Sequence, residues 1–420
     1  MDKVVINGGR KLKGEVTISG AKNSVLPILA ATILGEGTSV IDNVPDLRDV
    51  HSMVKLLRTL GLSVKKETSR ITVKSNGRLK HIAPYNLVST MRASFCVLGP
   101  LLARLGKAEV SLPGGCIIGA RPIDLHIKGL QELGAKIKIK HGYVVATAQN
   151  LKGADIYLGG AFGSSVLATV NVLMAAVCAK GRTRIENAAC EPEIVDLANF
   201  LNKMGAKIKG AGSHLIEVSG VKKLKGVRHT VIPDRIETGT FMIAAAITGG
   251  EILLRNVCPA HNNALIDKLK KCGVGITKYK DKLRIKGKKR LKPVDLTTFS
   301  YPGFPTDLQA QMMSLMCVTP GISVITEKIY PDRFIHISEL NRMGANVFLE
   351  GASAIINGVK KLSGAPVMAS DLRASAALVL AGLVAEGETE IHRVYHLDRG
   401  YEKLEEKFSA LGASIKRVKE

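Results

Sequence analysis

Three observations predict an α/β fold built as two domains of three repeats each. An apolar residue followed by glycine and an alternating strand recurs six times, at Gly61 (TLGLSV), Gly134 (ELGAKI), Gly205 (KMGAKI), Gly273 (KCGVGI), Gly344 (RMGANV) and Gly412 (ALGASI), at intervals of 73, 71, 68, 71 and 68 residues. Upstream of each lies an apolar, alanine-rich segment with a polar residue at its head. The N-terminal VINGGRKLKG (5–14) matches IINGVKKLSG (355–364) and VSGVKKLKG (218–226), which close the fifth and third repeats. Self-similarity at a fixed period marks a stack of supersecondary units, none of which can bury its apolar face alone.

Each repeat reads helix, strand, helix, strand, strand. The first helices (NSVLPILAATILGEG, RASFCVLGPLLARLG, SVLATVNVLMAAVCAKG, ETGTFMIAAAITGG, TDLQAQMMSLMCVTPG, LRASAALVLAGLVAEG) are apolar on all sides and therefore buried. They span about three turns and end at glycines suited to a C-cap. Short strands follow (TSVIDNV, AEVSLP, TRIENA, EILLRNV, ISVITEK, TEIHRV). The second helix is amphipathic, as in EIVDLANFLNKM (193–204), and should form the outer layer. The sixth repeat stops at ASIKRVKE without a return strand, so the N-terminus is expected to complete it. That places residues 1–21 with 233–420 in one domain, carrying repeats four to six. Residues 22–232, repeats one to three, form an inserted domain.

The opening MDKVVINGGRKLKG has no apolar signal region, and the longest nearly apolar runs, such as Ala374 to Ala385, are too short to span a membrane. Seven cysteines (96, 116, 178, 190, 258, 272, 317) are scattered and never spaced as CxxC, so neither a disulfide framework nor a metal site is indicated. A cytoplasmic location is expected. The formal charge of +24 suggests nucleic acid, but the lysines are spread along the chain and aromatic residues make up only 4%. Solvated lysine faces that favour small anionic substrates are the better reading, with no nucleic-acid partner.

Among repeated units, charged positions that differ between repeats invite a functional reading. The heads of the buried helices carry Lys22 and Asn23, Arg92, Ser164 and Ser165, Arg235 with Glu237, Asp307, and Asp371 with Arg373. Helix N-termini attract anions, and the added basic groups suggest phosphate or carboxylate ligands. For Asp307, Asp371 and Ser165 simple N-capping is the competing reading. The loop PGGCIIGARPIDLH (113–126) holds Cys116 among glycines, with Arg121 and His126 following. A thiolate there would be favoured by the positive groups, as a reactive cysteine needs; a small buried cysteine is the alternative. No phosphate-binding P-loop, dinucleotide fingerprint or nucleophile elbow appears, and His126, His336, His392 and His396 do not cluster.

These residues resemble a known family over essentially the whole chain. GAKNSVLP (20–27), MRAS (91–94), PGGCIIGARPIDLH (113–126), NAACEPEIVDLANFL (187–201), PDRIETGT (233–240), FPTDLQAQ (304–311), DLRASAALVLAG (371–382) and HLDRGYE (396–402) are similar to motifs of the UDP-N-acetylglucosamine enolpyruvyl transferases. The shikimate-pathway enolpyruvyl transferases share the repeats, but the cysteine loop points to the sugar-nucleotide group.

The resemblance implies two inside-out α/β barrel-like domains, each of three repeats about a pseudo-threefold axis. It implies transfer of enolpyruvyl from phosphoenolpyruvate to the 3′-hydroxyl of UDP-N-acetylglucosamine through a tetrahedral ketal, in peptidoglycan synthesis. No metal, no other cofactor and no obligate protein partner is implied. Carried over by motif, Lys22, Arg121 and Arg399 would hold the phosphate and carboxylate of phosphoenolpyruvate, with Asn23 alongside and Arg373 at the carboxylate end. Arg92 and the segment Arg121, Pro122, Ile123, Asp124 and Leu125 would contact the nucleotide, and Ile329 would line the sugar site. Ser164, Ser165 and Val166 would contact the diphosphate, although GGAFGSSVLATV departs from the family pattern in its longer loop and in Leu167, where a glycine is expected. Asp307 would take the proton of the sugar hydroxyl, and Cys116 would serve as proton donor or covalent nucleophile. Susceptibility to the epoxide antibiotic fosfomycin, through alkylation of Cys116, is implied with it.

Overall fold

The structure is a computed structural model describing residues 2–419 except 76, 115–122 and 161–162. Among these the chain divides into two compact units. One takes in the chain up to Ser19 and again from Pro233 onward; the other runs from Gly20 to Ile232.

Each unit contains three four-stranded sheets of one design. The strand leaving a buried helix pairs antiparallel with the second strand of a hairpin and parallel with a short strand on its other side. Glu251–Arg255 shows the pattern: it is antiparallel to Lys282–Lys286 and parallel to Lys13–Thr17, with Gly275–Lys278 at the edge. In the last sheet Asp2–Asn7 takes the central place, antiparallel to both Glu388–His392 and Ser414–Lys419. The short parallel strand was absent from the five-element reading of the repeat. In five of the six sheets it has only two or three residues, too few for alternation to register.

The buried helices owe their place to composition. From Arg373 to Gly382 every residue of Leu372–Gly382 is buried, and this helix packs on Gln309–Cys317 and Arg235–Ile247 at the centre of its unit. In the other unit Leu98–Leu105 packs on Val166–Ala176, while Lys22–Ala31 packs on Pro192–Met204. The glycines expected to cap these helices do so in the left-handed conformation only at Gly106 and Gly249. Elsewhere the helix gives way to three-residue bonds before the glycine is reached, as at Gly35 N to Thr32 O, Ala179 N to Ala176 O, Val318 N to Leu315 O and Val384 N to Ala381 O.

The six repeat-defining glycines have one physical cause. Gly61, Gly134, Gly205, Gly273, Gly344 and Gly412 all have φ between 86° and 111°. Each donates to the carbonyl three residues back, and the following residue donates to the carbonyl five back, for example Gly273 N to Lys270 O and Val274 N to Leu269 O. This paired closure of a helix end needs a left-handed residue, which glycine supplies without strain. A β-carbon at Gly273 would meet nothing within 4 Å, so Gly273→Ala isolates backbone strain from crowding. It should cost about 1–2 kcal/mol and lower the melting temperature by a few degrees, read by calorimetry.

Candidate active site

The six helix heads, read as one class in the sequence, separate by what their side chains bond. Asp371 is an N-cap: its Oδ1 accepts from the backbone N–H groups of Arg373 at 2.7 Å and Ala374 at 3.2 Å. Ser165 caps Val166–Ala176 by accepting from Ala168 N at 3.3 Å. Asp234 caps Arg235–Ile247 through Ile236 N and Glu237 N.

Asp307 does not cap. The 3-10 turn Thr306–Leu308 begins after Pro305, and the Asp307 carboxylate turns instead to two guanidinium groups. Oδ1 lies 2.9 Å from Arg333 and Oδ2 2.9 Å from Arg373, whose side chains are only 7% and 5% exposed. Burial works against the charge on Asp307, but Arg373 and then Arg333 outweigh it and hold the carboxyl well below the usual carboxylate range. Arg373 also lies over the ring of Tyr401 at 5.6 Å. Gln311 Nε2 donates to the Asp307 carbonyl at 2.9 Å and to the Tyr401 hydroxyl at 3.2 Å, which fixes the turn from behind. Arg399 ends the 3-10 segment Val394–Arg399, half-buried. Ile329 is half-buried after the strand Ile322–Thr326, and its backbone N–H donates to Glu327.

In the other unit, Lys22 and Asn23 open the helix Lys22–Ala31, and Lys22 Nζ lies 3.2 Å from Asp49 Oδ2. Ser24, next along, donates to buried Asp196 at 2.5 Å, and Asp196 also bonds His229 at 2.9 Å and accepts from Ile232 N at 3.2 Å. The base of this helix is therefore pinned where Lys22 emerges. Arg92 begins the 3-10 segment Arg92–Val97 that leads into Leu98–Leu105. Ile123, Asp124 and Leu125 form the head of Asp124–Glu132. Leu125 reaches the strand pair that carries Ser164: a β-carbon at Gly160 would sit 3.1 Å from its Cδ1, and Gly159 is paired with Ser164. The structure thus brings Leu125 to the strand pair of Gly159–Gly160 and Gly163–Ser164, and separately Asp307 to Arg373. Cys116, Arg121 and Pro122 lie outside the described residues.

His126 corrects one expectation. It is buried, its Nδ1 lies 2.9 Å from the Asn171 amide, and it packs edge-on to Phe95. Burial, with Arg92 nearby, pushes its pKa down to about 3, so it is neutral and cannot favour a thiolate by charge. Among the described residues no group of three or more His, Cys, Asp or Glu is placed to hold a metal ion.

Residues 6–408 match the family described as EPSP synthase (3-phosphoshikimate 1-carboxyvinyltransferase). The chain belongs to this enolpyruvyl transferase family. It is 58% identical over 99% of both chains to UDP-N-acetylglucosamine 1-carboxyvinyltransferase 1 of Caldanaerobacter subterraneus subsp. tengcongensis. It is 56% identical over the full length of both to UDP-N-acetylglucosamine 1-carboxyvinyltransferase of Myxococcus xanthus. In three dimensions it is similar to the enolpyruvyl transferase NikO of Streptomyces tendae, with a TM-score of 0.89, 25% identity and 99% of each chain covered. The two-domain, six-repeat α/β architecture is the family's.

Sequence reasoning about this family member missed Asp49, Arg333 and Glu327. Asp49 and Arg333 lie in the outer helix Arg48–Thr59 and in a turn, where a charged residue reads as solvated surface. Glu327 carried a usable signal, since it stands where three other repeats have asparagine.

Proposed function

We propose that the chain transfers the enolpyruvyl group of phosphoenolpyruvate to the 3′-hydroxyl of UDP-N-acetylglucosamine and releases phosphate, the first committed step of peptidoglycan synthesis. Full-length similarity at 58% and 56% to relatives bearing that name carries the reading. The Asp307–Arg373–Arg333 cluster supplies chemistry that fits it.

The reaction joins the sugar oxygen to C2 of phosphoenolpyruvate while C3 gains a proton; loss of phosphate and of a C3 proton then restores the double bond. Asp307 takes the hydroxyl proton. In the resting protein it is a weak base, because two guanidiniums share its charge. A phosphoenolpyruvate carboxylate drawn to Arg373 would divert part of that positive charge and raise the basicity of Asp307 when substrate is present. Lys22, Arg121 and Arg399 hold the phosphate and carboxylate of phosphoenolpyruvate, with Asn23 alongside and Arg373 at the carboxylate end. Arg92 and the segment from Arg121 through Pro122, Ile123 and Asp124 to Leu125 contact the nucleotide, Ser164, Ser165 and Val166 the diphosphate, and Ile329 lines the sugar site. Cys116 delivers the C3 proton or forms a covalent adduct.

A phosphate-release assay with phosphoenolpyruvate and UDP-N-acetylglucosamine tests the reading directly. Turnover should require both substrates. Turnover with shikimate 3-phosphate in place of the sugar nucleotide, and none with UDP-N-acetylglucosamine, would reassign the acceptor.

A further inference from the structure

The residue after the first strand of each repeat is Asn43, Leu112, Asn187, Asn256, Glu327 and Arg393 in turn. Asn43, Asn187, Asn256 and Arg393 share a left-handed backbone, with φ between 52° and 58°. Two of the asparagines tie the strand end to a neighbouring segment: Asn43 Nδ2 donates to Val231 O at 2.8 Å, and Asn256 Nδ2 to Ile18 O at 2.7 Å. The second repeat, with Leu112, and the fifth, with Glu327, depart from this pattern, and only the fifth does so with a buried charge. Glu327 is not left-handed, is 0% exposed, and gathers four donors on its carboxylate. Oε1 accepts from Thr298 Oγ1 at 2.5 Å, Ile329 N at 2.8 Å and Tyr330 N at 3.0 Å; Oε2 accepts from Thr306 Oγ1 at 2.8 Å.

A buried carboxylate is tolerated only when its oxygens are satisfied, and these four donors satisfy it. A scaffold position has therefore been given a costly charged group in one repeat of six, beside that repeat's charged cluster. The link to the cluster is Thr306. A carboxylate only accepts, so the Thr306 hydroxyl proton points to Glu327 and the oxygen lone pairs face away. There the hydroxyl accepts from Arg333 Nη1 at 2.9 Å, and the same nitrogen lies 2.9 Å from Asp307 Oδ1.

We propose that Glu327 is a positioning residue for enolpyruvyl transfer: acting through the Thr306 hydroxyl, it fixes Arg333 against Asp307 while its other oxygen holds the Ile329–Tyr330 backbone. This rests on the reading of Asp307 as the proton acceptor. A glutamine at 327 would present an N–H to Thr306, turn the hydroxyl proton toward Arg333, and set two donors against each other.

The test compares Glu327→Gln, Thr306→Val, Thr306→Ser and Asp307→Asn for kcat, KM, the pH profile of kcat and melting temperature. Glu327→Gln and Thr306→Val should lower kcat about 10- to 100-fold, the scale of a misplaced reacting group. KM for both substrates should move by less than roughly threefold. The acid limb of kcat should shift to higher pH, because a misaligned Arg333 lets Asp307 keep its proton longer. Thr306→Ser restores the hydroxyl and should restore kcat and the profile; a role in folding alone would not link these two. If Glu327→Gln does not fold, the Thr306 pair decides. Wild-type kcat and profile in Thr306→Val, or no recovery in Thr306→Ser, would overturn the proposal. Loss of turnover in Asp307→Asn with none in Thr306→Val removes Glu327 alone, whereas full turnover in Asp307→Asn removes the reading of Asp307 itself.

Discussion

Asp307→Asn is expected to lower turnover on the order of a hundredfold or more at neutral pH. The capping alternative for Asp307 does not survive in the structure, because the turn it sits in begins after Pro305 without a side-chain cap and its carboxylate is shared between Arg333 and Arg373. An asparagine keeps one acceptor oxygen, carries no charge and puts an N–H against the other guanidinium, so the proton acceptor and the negative charge shared by both arginines are lost together. Stability should fall too. Removing one member of a buried ion cluster costs about 3–5 kcal/mol, and the 26% exposure of Asp307 together with the retained oxygen places this change at or below the low end. Turnover must therefore be expressed per folded enzyme. The pH dependence separates the two effects. Burial opposes ionisation of Asp307, but the arginines hold its folded-state pKa well below the unfolded value of about 3.9. Its stabilisation is therefore complete above that value and is lost as pH falls through the folded-state pKa. Melting temperatures of wild type and Asp307→Asn should differ at neutral pH and converge in acid, while the turnover gap holds above the acid limb of kcat and narrows as pH falls through it and Asp307 takes up its proton. Near-full turnover in the variant would end the assignment.

The fold was legible because its repeats are enforced by backbone conformation. A left-handed glycine at six equivalent helix ends cannot drift to another residue without strain, so the period survives in the sequence. The place of Asp2–Asn7 was legible for a related reason, since VINGGRKLKG copies the closing segments of other repeats and the last sheet lacks a strand without it. The site was legible only in residue identity. Asp307, Asp371 and Ser165 look alike as polar residues heading buried helices, and only geometry distinguishes two caps from a clamped carboxylate. Arg333 arrives at Asp307 from a turn 26 positions further along, a pairing that no helical or strand period encodes. His126 misled because a histidine beside a cysteine loop suggests charge, whereas helix packing buries it against Phe95 and Asn171.

Cys116→Ser should be nearly inactive, and Cys116→Asp should retain turnover if the residue delivers a proton. A hydroxyl is far less acidic and less nucleophilic than a thiol of pKa about 8.5 or lower, so serine fails in either role. A carboxylic acid can still donate to C3 of phosphoenolpyruvate but cannot form the covalent adduct expected of a nucleophile, so aspartate divides the two roles. Neutral, buried His126 leaves Arg121 as the cationic neighbour by sequence, and Arg121→Ala should slow alkylation of Cys116 by raising its pKa. Five of the six remaining cysteines are an internal control. Burial pushes the thiols of Cys96 and Cys317 up to about 12 and that of Cys272 to about 11, and raises those of Cys178 and Cys190. None of these five is a competitive thiolate near neutral pH. Intact mass after treatment with fosfomycin should show a single adduct in wild type and none in either Cys116 variant, with peptide mapping placing it at residue 116 and not at the half-buried Cys258. Turnover in Cys116→Asp without an adduct assigns proton delivery; loss of turnover in both variants assigns the covalent role. Full activity in Cys116→Ser, or an adduct at any of the other six cysteines instead, would remove Cys116 from the reaction.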